Sequence, residues 1–167
     1  MMIDLLGDTF SLDSSPSYKL YRTARLVRSD MSRLFKNLET VVTPEQWILL
    51  FRLNETDGQS QREISDRFFN DPPSITRMVD ALVNQRFVVR VPDTKDRRKF
   101  LIFLTYDGRN FIEKTLPWIV EKRRQLFHGF SLGEIQQFVS FLTQIESNIL
   151  NPNQHEGLVP ASSDVSS

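Results

Sequence analysis

Apolar residues recur at helical spacing along most of this chain and alternate in only one stretch. From about Pro16 to Glu39, Leu20, Ala24, Val27, Met31, Leu34, Phe35 and Leu38 fall on one side of a helix. Lys19, Arg22, Arg25, Arg28, Arg33 and Lys36 occupy its other faces, the pattern of a long amphipathic helix. Thr43-Pro44-Glu45-Gln46 is a capping box with proline at the first helical position and opens a second helix. Trp47, Leu49, Leu50, Phe51 and Leu53 make that helix largely buried, and Gly58 ends its exit loop. Ser60-Gln61-Arg62-Glu63 is another capping box and starts a third helix that reaches about Phe68. Asp71 caps a fourth, from Pro72 to roughly Gln85. It turns Ile75, Val79 and Leu82 one way and Pro73, Arg77, Asp80 and Asn84 the other.

Alternation then takes over. Phe87 to Val91 and Lys99 to Thr105 read as two strands joined by Pro92-Asp93-Thr94-Lys95-Asp96-Arg97-Arg98, a β-hairpin. Beyond it, Thr105 to His128 is a long helix with Pro117 inside, where a kink is expected. Gly129-Phe130 breaks it, and the capping box Ser131-Leu132-Gly133-Glu134 opens a last helix to about Leu150. Its apolar face is Ile135, Phe138, Val139, Leu142 and Ile145. The polar, serine-ended stretch 151–167 reads as a disordered tail, and residues 1–14 as an arm.

The elements add up to a mainly α chain with a small β-hairpin wing. A helix pair feeding a hairpin, over 43–105, is the layout of a winged helix-turn-helix. That core does not need the long helices of 15–42 and 106–150, which are best explained as a dimerisation domain. No repeat or linker divides the chain.

Composition narrows the function. The 167 residues include 40% hydrophobic ones, enough for a real core, and the net charge is zero with a pI near 6.7. No global field attracts a polyanion, so a nucleic-acid argument must rest on local charge. The absence of cysteine excludes disulfides, thiolate zinc sites and thiol nucleophiles. His128 and His155 are the only histidines and have no second ligand at metal spacing. No glycine-rich phosphate loop or Ser–His–acid arrangement is present, so neither an enzyme nor a cofactor is expected. No stretch reaches the roughly 20 apolar residues of a membrane span. The acidic start of the chain lacks the positive residues of a secretory signal, so a cytoplasmic protein is expected.

Local charge is where the signal lies. Arg86, Arg90, Lys95, Arg97, Arg98 and Lys99 against Asp93 and Asp96 leave four net positive charges on a short segment of a neutral chain. An arginine-bearing hairpin tip suits the minor groove of DNA, where the potential is most negative. Asp96, two residues before Arg98, is placed to orient that guanidinium. In the fourth helix Pro73, Ser74, Thr76 and Arg77 lie in the first two turns, the end that enters a major groove. Arginine there bonds guanine O6 and N7 or a phosphate, and serine and threonine reach phosphates or base edges. The bland reading of both features is a solvated surface. A winged helix used only as a protein-docking module is the other reading, but it has no use for clustered arginines.

Several stretches taken together resemble the multiple antibiotic resistance regulator (MarR) family. They are Ile64-Ser65, Pro72-Pro73-Ser74-Ile75-Thr76-Arg77, Leu82, Val88, Arg90, Asp93-Thr94-Lys95-Asp96-Arg97-Arg98 and Leu104-Thr105-Tyr106-Asp107-Gly108. The Asp-x-Arg wing followed by Leu-Thr-x-x-Gly is the most specific part. The resemblance implies homodimeric transcriptional regulators that bind double-stranded, inverted-repeat DNA, with terminal helices pairing two chains. It puts groove contacts on Ser74, Thr76, Arg77 and Arg98, with Asp96 supporting the wing. Many relatives bind a small aromatic acid between the dimer domain and the winged helix. Trp47, Phe51, Met31 and the arginines of the first helix are the candidates here, although aromatics at helical spacing are more often core. Two departures stand out: the family often has glycine where Phe69 and Arg86 stand. A non-glycine residue at the second place must accept left-handed strain or end the helix differently.

Overall fold

Side-chain caps start the helices at the places the sequence marks. The computed structural model describes residues 12–68, 72–96 and 98–151. After a short 3-10 turn (Leu12–Ser14), Ser15 caps α1 (Pro16–Asn37). Thr43 caps α2 (Pro44–Glu55) in a full capping box, its hydroxyl accepting from Gln46 N–H at 3.2 Å while Gln46 Oε1 accepts from Thr43 N–H at 2.9 Å. Ser60 and Glu63 exchange the same pair of bonds at the head of α3 (Gln61–Phe68). Ser131 and Glu134 do so for α6 (Leu132–Leu150). Residues 1–11 of the expected arm (1–14), 152–167 of the expected tail (151–167) and the expected Asp71 cap lie outside the described residues.

The chain forms two compact units that divide between Leu116 and Pro117. In the first, α2, α3 and α4 (Pro72–Asn84) stand beside a small sheet of β1 (Gln59–Ser60), β2 (Val88–Pro92) and β3 (Phe100–Leu104). Both pairings are antiparallel and the order is β1-β3-β2. The hairpin was expected; the two-residue β1 was not. It is too short to show alternation, and is held by its pairing of Gln59 with Ile102 and by Gly58 N–H donating to the Ile102 carbonyl at 3.1 Å. Leu49, Leu50, Leu53, Ile75, Val79, Leu82 and Ile102 are fully buried and form the centre of the core. At the usual 25 cal/mol per Å² of apolar surface, each contributes about 1.5–3 kcal/mol to folding.

α5 (Tyr106–Leu126) begins in this unit and runs through Pro117 without ending there. The ring removes the bond to the Glu113 carbonyl four residues earlier. The Leu104-Thr105-Tyr106-Asp107-Gly108 motif explains how α5 begins. Thr105 Oγ1 accepts from Gly108 N–H at 3.0 Å, capping the helix, and donates to the Arg86 carbonyl at 2.7 Å. Thr105 N–H donates to the Phe87 carbonyl at 3.0 Å. A Cβ on Gly108 would lie 2.2 Å from that same Phe87 oxygen, so only glycine fits. Leu104 fills the core beneath.

Asp57 joins the same region from the other side. Its Oδ1 accepts from Leu104 N–H at 2.9 Å and Gly58 N–H at 3.1 Å, and its Oδ2 pairs with Arg109 of α5. In the second unit, Gly129 turns the chain with φ +89° between α5 and α6, and Phe127 and Phe130 meet edge to face. No residue of α6 is buried.

Candidate nucleic-acid interface

α4 is amphipathic, and its buried stripe of Ile75, Val79 and Leu82 fixes which side faces out. Pro73, Thr76 and Arg77 are exposed there and Ser74 is half-buried, so all four expected residues sit together in the first two turns. The surface is internally organised. Thr76 Oγ1 donates to the Pro72 carbonyl at 3.0 Å and lies 3.3 Å from Gln61 Nε2 of α3, which joins the two helices of the pair. Arg77 Nη2 donates to Ser74 Oγ at 3.3 Å, which extends the guanidinium along the helix toward its N-terminus.

At the other end α4 closes at Arg86, and of the two outcomes the sequence left open it takes the strained one. Arg86 takes φ +63°. Arg86 N–H donates to the Val83 carbonyl at 2.9 Å and Phe87 N–H to that of Leu82 at 3.0 Å, the two bonds of a Schellman motif. The helix therefore ends as it would with glycine, at the cost of a left-handed arginine. Glu39 at φ +52° closes α1 in the same way. Phe69, the other departure, lies outside the described residues.

The wing tip is a chain of backbone turns held by two aspartates. Asp93 Oδ1 accepts from Lys95 N–H at 2.9 Å, and Lys99 N–H donates to the Asp96 carbonyl at 2.8 Å. Asp96 holds the wing through the backbone. Its Oδ1 accepts from the backbone N–H of Arg98 at 3.1 Å, and its Oδ2 faces Lys99 Nζ at 3.7 Å. Two residues of spacing put the carboxylate over the peptide of Arg98 rather than over its guanidinium, so Asp96 shapes the turn. Lys95 and Arg98 are exposed on that turn; Arg97 lies outside the described residues.

The wing is also less positive than the sequence count. Arg90 sits opposite Ile102 on the inner side of the hairpin and reaches Asp80 of α4 at 2.6 Å. Strand alternation signals this, since Arg90 shares its side with the buried Val88 and a charge there needs a partner.

A polar groove of about 590 Å³ opens beside α4, lined by Arg28, Thr43, Glu45, Gln46, Ser74, Arg77 and Met78. Arg28 Nε pairs with Glu45 at 2.7 Å across it. Of the aromatic-acid candidates only the first-helix arginines, through Arg28, line this groove. Trp47 is buried core: its ring stacks on Phe51 with centroids 5.1 Å apart, and its indole N–H donates to Thr115 Oγ1 at 2.8 Å.

Three solved structures share this architecture. A probable transcriptional regulator from Pseudomonas aeruginosa is 28% identical over 81% of this chain and 99% of its own, with a TM-score of 0.68. BpsR of Bordetella bronchiseptica, whose DNA binding is regulated by 6-hydroxynicotinic acid, is 20% identical over 83% of this chain and 97% of its own, with a TM-score of 0.76. S. aureus MepR, solved in complex with DNA, is 21% identical over 83% of this chain and 99% of its own, with a TM-score of 0.73. The MarR family model matches residues 42–100, from the approach to α2 through α4 to the far side of the wing tip. The winged helix is formed, its hairpin tip is built on Asp93 and Asp96, and over that segment the chain is similar in sequence to the MarR family.

Proposed function

We propose that this chain is a DNA-binding transcriptional regulator of the MarR type that works as a homodimer on an inverted-repeat operator. Each subunit lays α4 in a major groove, with Pro73, Ser74, Thr76 and Arg77 against base edges and phosphates. The tip formed by Lys95, Asp96, Arg97 and Arg98 enters the adjacent minor groove. The observation that carries this reading is the pairing of an outward polar stripe on the first two turns of α4 with a cationic, aspartate-braced turn on the neighbouring hairpin. A two-fold dimer presents two copies of that surface and so matches a palindrome with half-sites about one helical turn apart.

The uncovered apolar surface supports the dimer. Leu20, Tyr21 and Leu26 of α1 are exposed, and so are Phe138, Val139, Phe141, Ile145 and Ile149 of α6. Apolar stripes of this extent mark association, and a 19-residue helix with nothing buried is marginal without a partner. The groove lined by Arg28, Ser74 and Arg77 suits a small aromatic carboxylate. Such an effector would share Arg77 with the operator and shift the population away from the DNA-bound form.

A salt titration of binding to a duplex enriched by the full-length protein from a randomised pool tests the reading. The affinity should fall with a log–log slope of about −0.9 per phosphate contact. Arg98→Ala should cost about 1–3 kcal/mol at the operator, the range for one good arginine contact. A protein that only docks other proteins would enrich no duplex, and unchanged affinity of Arg98→Ala would remove the wing from the interface.

A further inference from the structure

Asp80 poses a problem that the reading above leaves open. It stands three residues after Arg77 on the outward stripe of α4, where a carboxylate faces the phosphates of any duplex that α4 enters. An unpaired negative charge there opposes binding. It is paired, and the partner comes from the wing: Arg90 Nη2 lies 2.6 Å from Asp80 Oδ1, with the arginine the more buried of the two. Arg90 leaves β2 on its core side, between Val88 and Pro92, and runs along the hairpin's inner face to reach the helix. The bond therefore ties the hairpin to α4 partway along β2, on the way to the tip.

We propose that the Asp80–Arg90 pair is a positioning device for DNA binding. It fixes the angle of the wing against α4 and cancels the carboxylate's charge, and Arg90 itself touches no phosphate. The magnitude is what makes the angle matter. From Arg90 to the tip is about five strand residues, roughly 16 Å at 3.3 Å per residue. A swing of about 10° around this anchor would move Arg98 by roughly 3 Å, the length of a whole hydrogen bond. The inference rests on the DNA-binding reading.

The test compares Asp80→Asn, Arg90→Gln and the double variant with wild type, each alone and combined with Arg98→Ala, on the enriched duplex. Asp80→Asn and Arg90→Gln should each weaken binding about tenfold, and the double variant should be no weaker than either. All three should share one salt slope, equal to that of Arg98→Ala alone. Arg98→Ala should cost less in these backgrounds than in wild type, because a wing out of place has already lost its contact. A purely structural pair would lower the melting temperature and leave the cost of Arg98→Ala unchanged. A direct phosphate contact from Arg90 would reduce the slope by about 0.9 in Arg90→Gln but not in Asp80→Asn, and would make Asp80→Asn bind more tightly. Either result overturns the proposal, as does wild-type affinity in both single variants. If Arg90→Gln fails to fold, Asp80→Asn and its coupling to Arg98→Ala decide alone. Wild-type protein that enriches no duplex defeats the DNA-binding reading itself, whereas salt-dependent wild-type binding with indifferent pair variants defeats only this inference.

Discussion

Arg86 keeps a backbone conformation that costs an L-residue about 1–2 kcal/mol. Its carbonyl is in use, accepting from Thr105 Oγ1, and its N–H closes α4. Nothing in that arrangement requires the side chain. Arg86→Gly should therefore raise unfolding free energy by about 0.5–1 kcal/mol, the left-handed penalty less the entropy of glycine in the unfolded chain. Urea unfolding should show a higher midpoint at unchanged slope. The sequence alone narrowed the outcome to strain or a different helix ending, because a missing glycine at a helix end is a local fact, and the backbone takes the strained form. The partners of Asp57, Trp47 and Asp80 were not legible in the same way. Arg109, Thr115 and Arg90 are brought to them by packing across the fold, and no local spacing encodes such a pair.

At the scale of elements, capping chemistry made the helices legible. Three boxes, at Thr43, Ser60 and Ser131, name three helix starts, and all three form. The same chemistry predicts a pH effect. The Ser60 hydroxyl, then its backbone N–H, hold the Glu63 carboxyl below the ordinary glutamate range, with smaller help from Arg67 and Lys99. Ser131 does the same to Glu134. A carboxyl depressed in the folded state binds fewer protons there than when unfolded. Its stabilisation is full above the unfolded value, about 4.3, and is lost as pH falls through the folded one. Stability should thus decline on acidification below about pH 4.5, and Glu63→Gln with Glu134→Gln should flatten part of that decline in unfolding curves measured across the range. β1 escaped notice because two residues carry no period, and its pairing is set by β3.

For the molecule as a whole, the candidate interface was legible in outline. Pro73, Ser74, Thr76 and Arg77 gather where the helical period puts them, and Lys95 and Arg98 share one turn. Asp96 braces the turn through the peptide N–H of Arg98, because a carboxylate two residues away reaches a backbone N–H more readily than a long side chain's end. Association belongs to this scale too. Light scattering at micromolar concentration should give twice the 19.5 kDa chain mass, and Phe138→Asp with Ile145→Asp should return it to the single-chain value. A single-chain mass for the unaltered protein would remove the terminal helices from any pairing role.

The Phe87 carbonyl, gripped by the amide of Thr105 and crowded by Gly108, leaves no slack between the end of one helix and the first turn of the next. Tilting α5 at that point must turn α4 with it, as a crank turns its shaft. In the proposed pair, the reach between the two reading heads is then governed by the inclination of these helices. A small molecule that changed that inclination by a few degrees would alter the fit to a duplex without touching any residue that meets it.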